Sequence, residues 1–82
     1  MSLSIDDVCE QLIEIKDQFE ENEELVEAVV ASDKAEDLLI AIGMAIAYSE
    51  EAVTLNKVGQ AHLKVSLKQL KEIVQEFEDG DE

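Results

Sequence analysis

The sequence predicts an all-α domain, a three-helix bundle or long helical hairpin that oligomerises, and three observations carry that prediction. Apolar residues recur at alternating spacings of three and four, the stripe of a helix packed on neighbours rather than the two-residue alternation of a strand. The 82 residues include no proline and three glycines, so little interrupts helical runs. Apolar residues make up 46% of the chain, too many for a disordered acidic tail, yet only three side chains are aromatic, which favours helices over sheets.

The first helix starts at Ile5, because Ile5, Val8, Leu12, Ile15 and Phe19 form one seam. Ser4 is its N-cap, and Asp6 and Asp7 stand in the first turn, where the macrodipole favours negative charge. Leu25, Val26, Val29 and Val30 continue the apolar pattern, so one long helix is expected to about residue 31, kinked near Asn22. A second helix begins at a capping box, Asp33 as N-cap with Glu36 three residues on, just before Leu38 and Leu39. Its body, Leu38 to Tyr48, is apolar on every face and reads as a central helix buried all round. Ala41, Gly43, Ala45 and Ala47 are expected to admit close neighbouring backbones, offsetting the cost of about 1 kcal/mol that Gly43 carries relative to alanine. A turn is placed near Thr54 to Lys57. Leu63, Leu67, Leu70, Val74 and Phe77 then mark a third helix to about Glu78, with 79–82 as a frayed acidic tail. The whole of 1–82 is read as one domain, of a size at which a partner subunit is expected to help hold the fold.

Cys9 is the only cysteine, so no internal disulfide forms, and a reduced, cytoplasmic setting is expected. The acidic start, Asp6-Asp7, is unlike a secretory signal. The eleven residues Leu38 to Tyr48 are the longest dense apolar run, well short of the roughly 20 that a spanning helix needs.

Charge is the strongest clue to partners. With 21 acidic against 6 basic residues the net charge is −15, which argues against direct binding to duplex nucleic acid or an anionic membrane. Glu10, Glu14, Asp17, Glu21 and Glu24 are spaced four, three, four and three apart, nearly opposite the first seam. Like charges at i and i+4 cost a few tenths of a kcal/mol per pair. Such a stripe serves either solubility or a basic protein partner, which it would dock or deceive by imitating a row of DNA phosphates. Lys57, Lys64, Lys68 and Lys71 concentrate positive charge: residues 38–71 carry +2, against −11 before them and −6 after. These lysines either lie over the core and pair with acids of a neighbouring helix or subunit, or form an anion site between subunits. Val58, Ala61 and Val65 lie opposite the Leu63/Leu67/Leu70 seam and make a second apolar strip suited to a homo-oligomer contact.

Nothing in the chain points to catalysis, a cofactor or a metal. His62 is the only histidine, off the main seam, and no nucleophile-base spacing or Gly-rich phosphate loop is present. The segment Ser32 to Leu39 looks like the serine-led helix of acyl carrier proteins, but their Asp-Ser-Leu motif stands here as Ala31-Ser32-Asp33, which excludes that family. Gly59-Gln60-Ala61-His62-Leu63, followed by Leu67 and Leu70, resembles a run in the last helix of small phage anti-CBASS sponge proteins. That resemblance implies a helical hairpin that oligomerises and sequesters a cyclic nucleotide messenger, with Lys57, Lys64 and Lys68 as anion contacts and Tyr48 as a base-stacking ring. The expectation from the residues themselves is a non-enzymatic acidic binding protein, a phage or prokaryotic inhibitor or adaptor that meets a basic partner through the Glu10–Glu24 face. A cyclic-oligonucleotide sponge and a self-assembling structural subunit are the alternatives.

Overall fold

The computed structural model describes residues 3–79 and contains four helices: α1 (Ile5–Glu21), α2 (Glu23–Val30), α3 (Ala35–Ser49) and α4 (Lys57–Asp79). The all-α bundle expected from the periodicity is the fold. Of the expected tail, Asp79 is the last residue of α4 and 80–82 lie outside the described residues.

α1 starts as its sequence dictates. The Ser4 hydroxyl accepts from the Asp7 backbone N–H at 3.2 Å, and Val8, Cys9, Leu12 and Ile15 are buried along the seam. At Asn22 the chain breaks rather than kinks. Asn22 is extended (φ −143°, ψ 98°), and its side-chain oxygen accepts from the Glu24 N–H at 3.1 Å, capping α2. An asparagine side chain competes with the backbone for hydrogen bonds, and here it ends one helix and begins the next. The break turns Leu25 and Val29 inward, where both are buried. α2 thereby closes one end of the bundle, packing on α1, α3 and α4.

Two expectations for the second long helix are corrected. Asp33 is not its N-cap: it lies in the turn that follows α2, the cap position belongs to Lys34, and no side chain caps α3. Ser32 bonds backward instead, its hydroxyl donating to the Val29 carbonyl at 2.7 Å. Nor is α3 buried all round. Leu38, Ala41, Ile42 and Ala45 face the core, whereas Leu39, Ile40 and Gly43 are exposed, because α1 and α4 cover only the inner side. A Cβ at Gly43 would meet nothing within 4 Å, so close packing inside the chain does not offset its cost.

α3 ends in a Schellman turn. Glu51 N–H bonds to the Tyr48 carbonyl at 3.0 Å and Ala52 N–H to the Ala47 carbonyl at 2.9 Å, with Glu51 in the left-handed region at φ 61°. The turn expected near Thr54–Lys57 follows, and Asn56 opens α4 by accepting from the Gly59 N–H at 2.8 Å. Leu3 lies beside Lys64 and Lys68, and Gln18 beside Glu78, so α1 and α4 run the same way. Lys34 and Leu38 lie beside Gln69 to Glu76, so α3 runs against both. Leu12, Leu38, Leu63 and Leu70, fully buried, meet in the shared core.

The left-handed conformation at Glu51 costs a residue bearing a Cβ about 1 kcal/mol that glycine avoids. Glu51→Gly is expected to raise the unfolding free energy by about that amount, read as a higher urea midpoint at unchanged slope. An unchanged or lower midpoint would contradict the turn geometry.

Candidate functional site

The acidic stripe is presented to solvent but is not one straight row. Glu10, Glu14, Asp17 and Glu21 are exposed along α1, while Glu24, also exposed, stands on α2 beyond the break. Among the described residues the one ion pair is Lys16–Glu20 at 2.9 Å, and none of these five carboxylates has a cationic partner there.

Part of the stripe borders a groove. The first half of α1, the end of α3 and the α3–α4 connection enclose an open space of about 800 Å³. Cys9, Ile13, Tyr48 and Val53 supply its apolar lining, and Asp6, Glu10, Glu14 and Glu51 its carboxylates; no lysine lines it. The local folding explains the assembly. Glu10 and Glu14 stand one turn apart beside Ile13, and the Schellman turn reverses the chain so that Glu51 and Val53 face α1. Asp6 acts on Tyr48 and Cys9. Its negative charge, with burial second, holds the Tyr48 phenol above its ordinary pKa. Burial, with Asp6 second, pushes the Cys9 thiol up as well, so the thiol stays protonated and is a poor nucleophile.

The residues expected to bind a small anion are not brought together. Tyr48 lines the acidic groove, whereas Lys64 and Lys68 lie with Lys71, Leu3 and Leu67 around a separate shallow groove of about 300 Å³ at the α1–α4 side. Lys57 lines neither, standing at the first position of α4. The expected pairing of these lysines with acids of a neighbouring helix does not occur among the described residues. Val58, Ala61 and Val65 are exposed on the outer side of α4. His62 is half-buried, and among the described residues no three His, Cys, Asp or Glu side chains are grouped to hold a metal ion. No described helix is long and apolar enough to cross a membrane.

Asp6, Cys9, Ile13, Glu51 and Val53 were not singled out by the sequence pattern as members of a site. The available signals were Ile13, an apolar residue one position off the α1 seam, and Val53, an apolar residue in the α3–α4 connection. Comparison with protein-family models, curated proteins and solved structures returned no match.

The raised pKa values of Cys9 and Tyr48 carry a sign for stability. Both groups are neutral when protonated, so above their unfolded values the folded chain retains protons that the unfolded chain has lost, and stability falls as pH rises. The contribution is complete below about pH 8.5 and is lost progressively through about pH 10 and above. The urea midpoint is expected to decline over that window, and Tyr48→Phe is expected to shrink the decline. A midpoint that rises, or that falls identically in the variant, would contradict the role of Asp6.

Proposed function

We propose that this chain is a non-enzymatic binding protein that receives a basic, amphipathic segment of another protein in the groove between α1 and the α3–α4 connection. The observation that carries the reading is the pairing of an apolar lining, Cys9, Ile13, Tyr48 and Val53, with four carboxylates and no cation. Apolar side chains of the partner would supply buried area, and its lysines and arginines would meet Asp6, Glu10, Glu14 and Glu51. Asp17, Glu21 and Glu24 extend the negative field and steer a cationic partner toward the groove. A surface of this kind also competes with nucleic acid for a basic protein, the sense in which it would act as a DNA mimic. The role that fits is an inhibitor or adaptor, of the kind encoded by phage and prokaryotic accessory genes and acting in the cytoplasm.

The test uses a labelled amphipathic peptide of lysine and leucine as probe. Binding is expected at low salt, weakening by about tenfold or more as sodium chloride rises to several hundred millimolar, because screening acts on the carboxylates. Glu10→Lys with Glu14→Lys is expected to abolish it, while Glu23→Lys with Glu27→Lys, equal in charge and away from the groove, retains most of it. No binding at low salt, or equal loss in both variants, would overturn the reading.

A second reading rests on Lys64, Lys68 and Lys71, which border one groove without ion pairs among the described residues. Together with the resemblance of residues 59–70 to the sponge proteins, they support capture of a cyclic oligonucleotide by an oligomer, without Tyr48 as the stacking ring. Stabilisation by one of a panel of cyclic di- and trinucleotides, lost in Lys64→Glu with Lys68→Glu, would favour it. Indifference to all of them would reject it.

A further inference from the structure

The acidic groove restricts the backbone of its guest as well as the guest's charge. One wall is a regular stretch of α1 on which Asp6, Glu10 and Glu14 follow at four-residue spacing, about 6 Å per step and about 12 Å in all. Cys9 and Ile13, also four residues apart, form a second row beside them. At 100° per residue the two rows lie about 80° apart around the helix axis, with the apolar row nearer the core. Burial follows that order: Cys9 is buried, Ile13 half-buried and the three carboxylates exposed. Across the groove stand half-buried Tyr48 and exposed Val53, with Glu51 as the carboxylate of the opposite wall.

Given this groove as the binding site proposed above, on which the reading rests, we infer that the guest is an α-helix carrying a lysine or arginine at every fourth residue along one flank of its apolar stripe. Two constraints select a helix over an extended segment. The first is the angle between the rows. Apolar and acidic groups stand on adjacent sides of α1, so the guest needs its apolar and cationic groups on adjacent sides too; a helix supplies that, whereas an amphipathic strand aims its charges directly away from its apolar face. The second is the backbone. An extended guest would lay unpaired N–H and C=O groups along the groove, and no strand among the described residues offers it an edge. The nearby carbonyls at the end of α3 are already taken, Ile46 by Glu50 N–H, Ala47 by Ala52 N–H and Tyr48 by Glu51 N–H. A helix satisfies its own backbone and presents side chains alone. Its rows at four-residue spacing repeat at the same 6 Å as those of α1, and such rows lie alongside one another at the commonest helix-packing angle, about 50° in magnitude. Cations at i, i+4 and i+8 of the guest therefore meet Asp6, Glu10 and Glu14 in step.

Three labelled peptides of leucine, lysine and glutamine, each of about 18 residues so that a helix can form, test the inference by fluorescence anisotropy at low salt. The first carries leucines at helical spacing with lysines every fourth residue along one flank. The second has the same sequence with several residues in the D form, which breaks the helix while keeping composition and charge. The third keeps the leucine stripe and moves the lysines to the opposite side of the helix. The first is expected to bind about tenfold or more tighter than either of the others, to gain helical circular dichroism on binding, and to lose its advantage against Glu10→Lys with Glu14→Lys. Equal binding of the first and second would overturn the helical guest, and equal binding of the first and third would overturn the lysine row; either result leaves the groove as a site for basic segments. Absence of binding by all three would remove the groove reading itself.

Discussion

The rest of the structure depends on a shared apolar core strong enough to hold together a chain whose surface charge opposes compaction. Leu12, Leu38, Leu63 and Leu70, drawn from α1, α3 and α4, are each fully buried. A leucine side chain removed from water contributes roughly 1.5–3 kcal/mol before conformational entropy is counted. Against that acts a net charge of −15 on a body with a radius of gyration of 12.5 Å. Internal ion pairing does little to relieve it, since Lys16–Glu20 is the one pair among the described residues and is exposed. The core therefore tolerates the acidic surface.

What could be read from the sequence followed from clear periodicity. The α1 seam, its Ser4 cap and the α4 seam were legible because apolar and polar residues alternate at helical spacing and mark a buried side. The unbroken apolar run of α3 marks no side at all. A uniformly apolar stretch has no phase, so the exposure of Leu39, Ile40 and Gly43 depends on how many neighbours the fold supplies, which local pattern does not encode. Asn22 posed a related problem. Whether asparagine bends or ends a helix depends on where Leu25 and Val29 find burial, a tertiary matter. The Asp33–Glu36 spacing suited a capping box, but Ser32 bonded back to Val29 and the turn placed Lys34 at the cap. The acidic residues were legible as a surface, whereas the groove beside them required the turn at Glu51 to bring Val53 to α1. Tyr48 and the lysines, joined in the sequence reading, fall on different sides of the bundle.

The surfaces of the bundle differ in chemistry. The α1 side is acidic with a small apolar lining, whereas α3 and α4 turn Leu39, Ile40, Val58 and Val65 to solvent. The lysine groove bounded by Lys64, Lys68 and Lys71 lies on the α1–α4 side, apart from the acidic groove.

The central claim is that surface charge is left uncompensated within the fold and is held in place by the core. The measurement that tests it most directly is the urea midpoint at low protein concentration as sodium chloride rises from about 10 to 500 mM, a range over which screening shortens from about 30 Å to less than 8 Å. The account expects the midpoint to rise steadily, because salt relieves repulsion among the carboxylates and breaks few attractive pairs. A midpoint that stays level or falls would mean that the charges are already balanced within the folded chain, and the acidic surface would lose its standing as a free binding face.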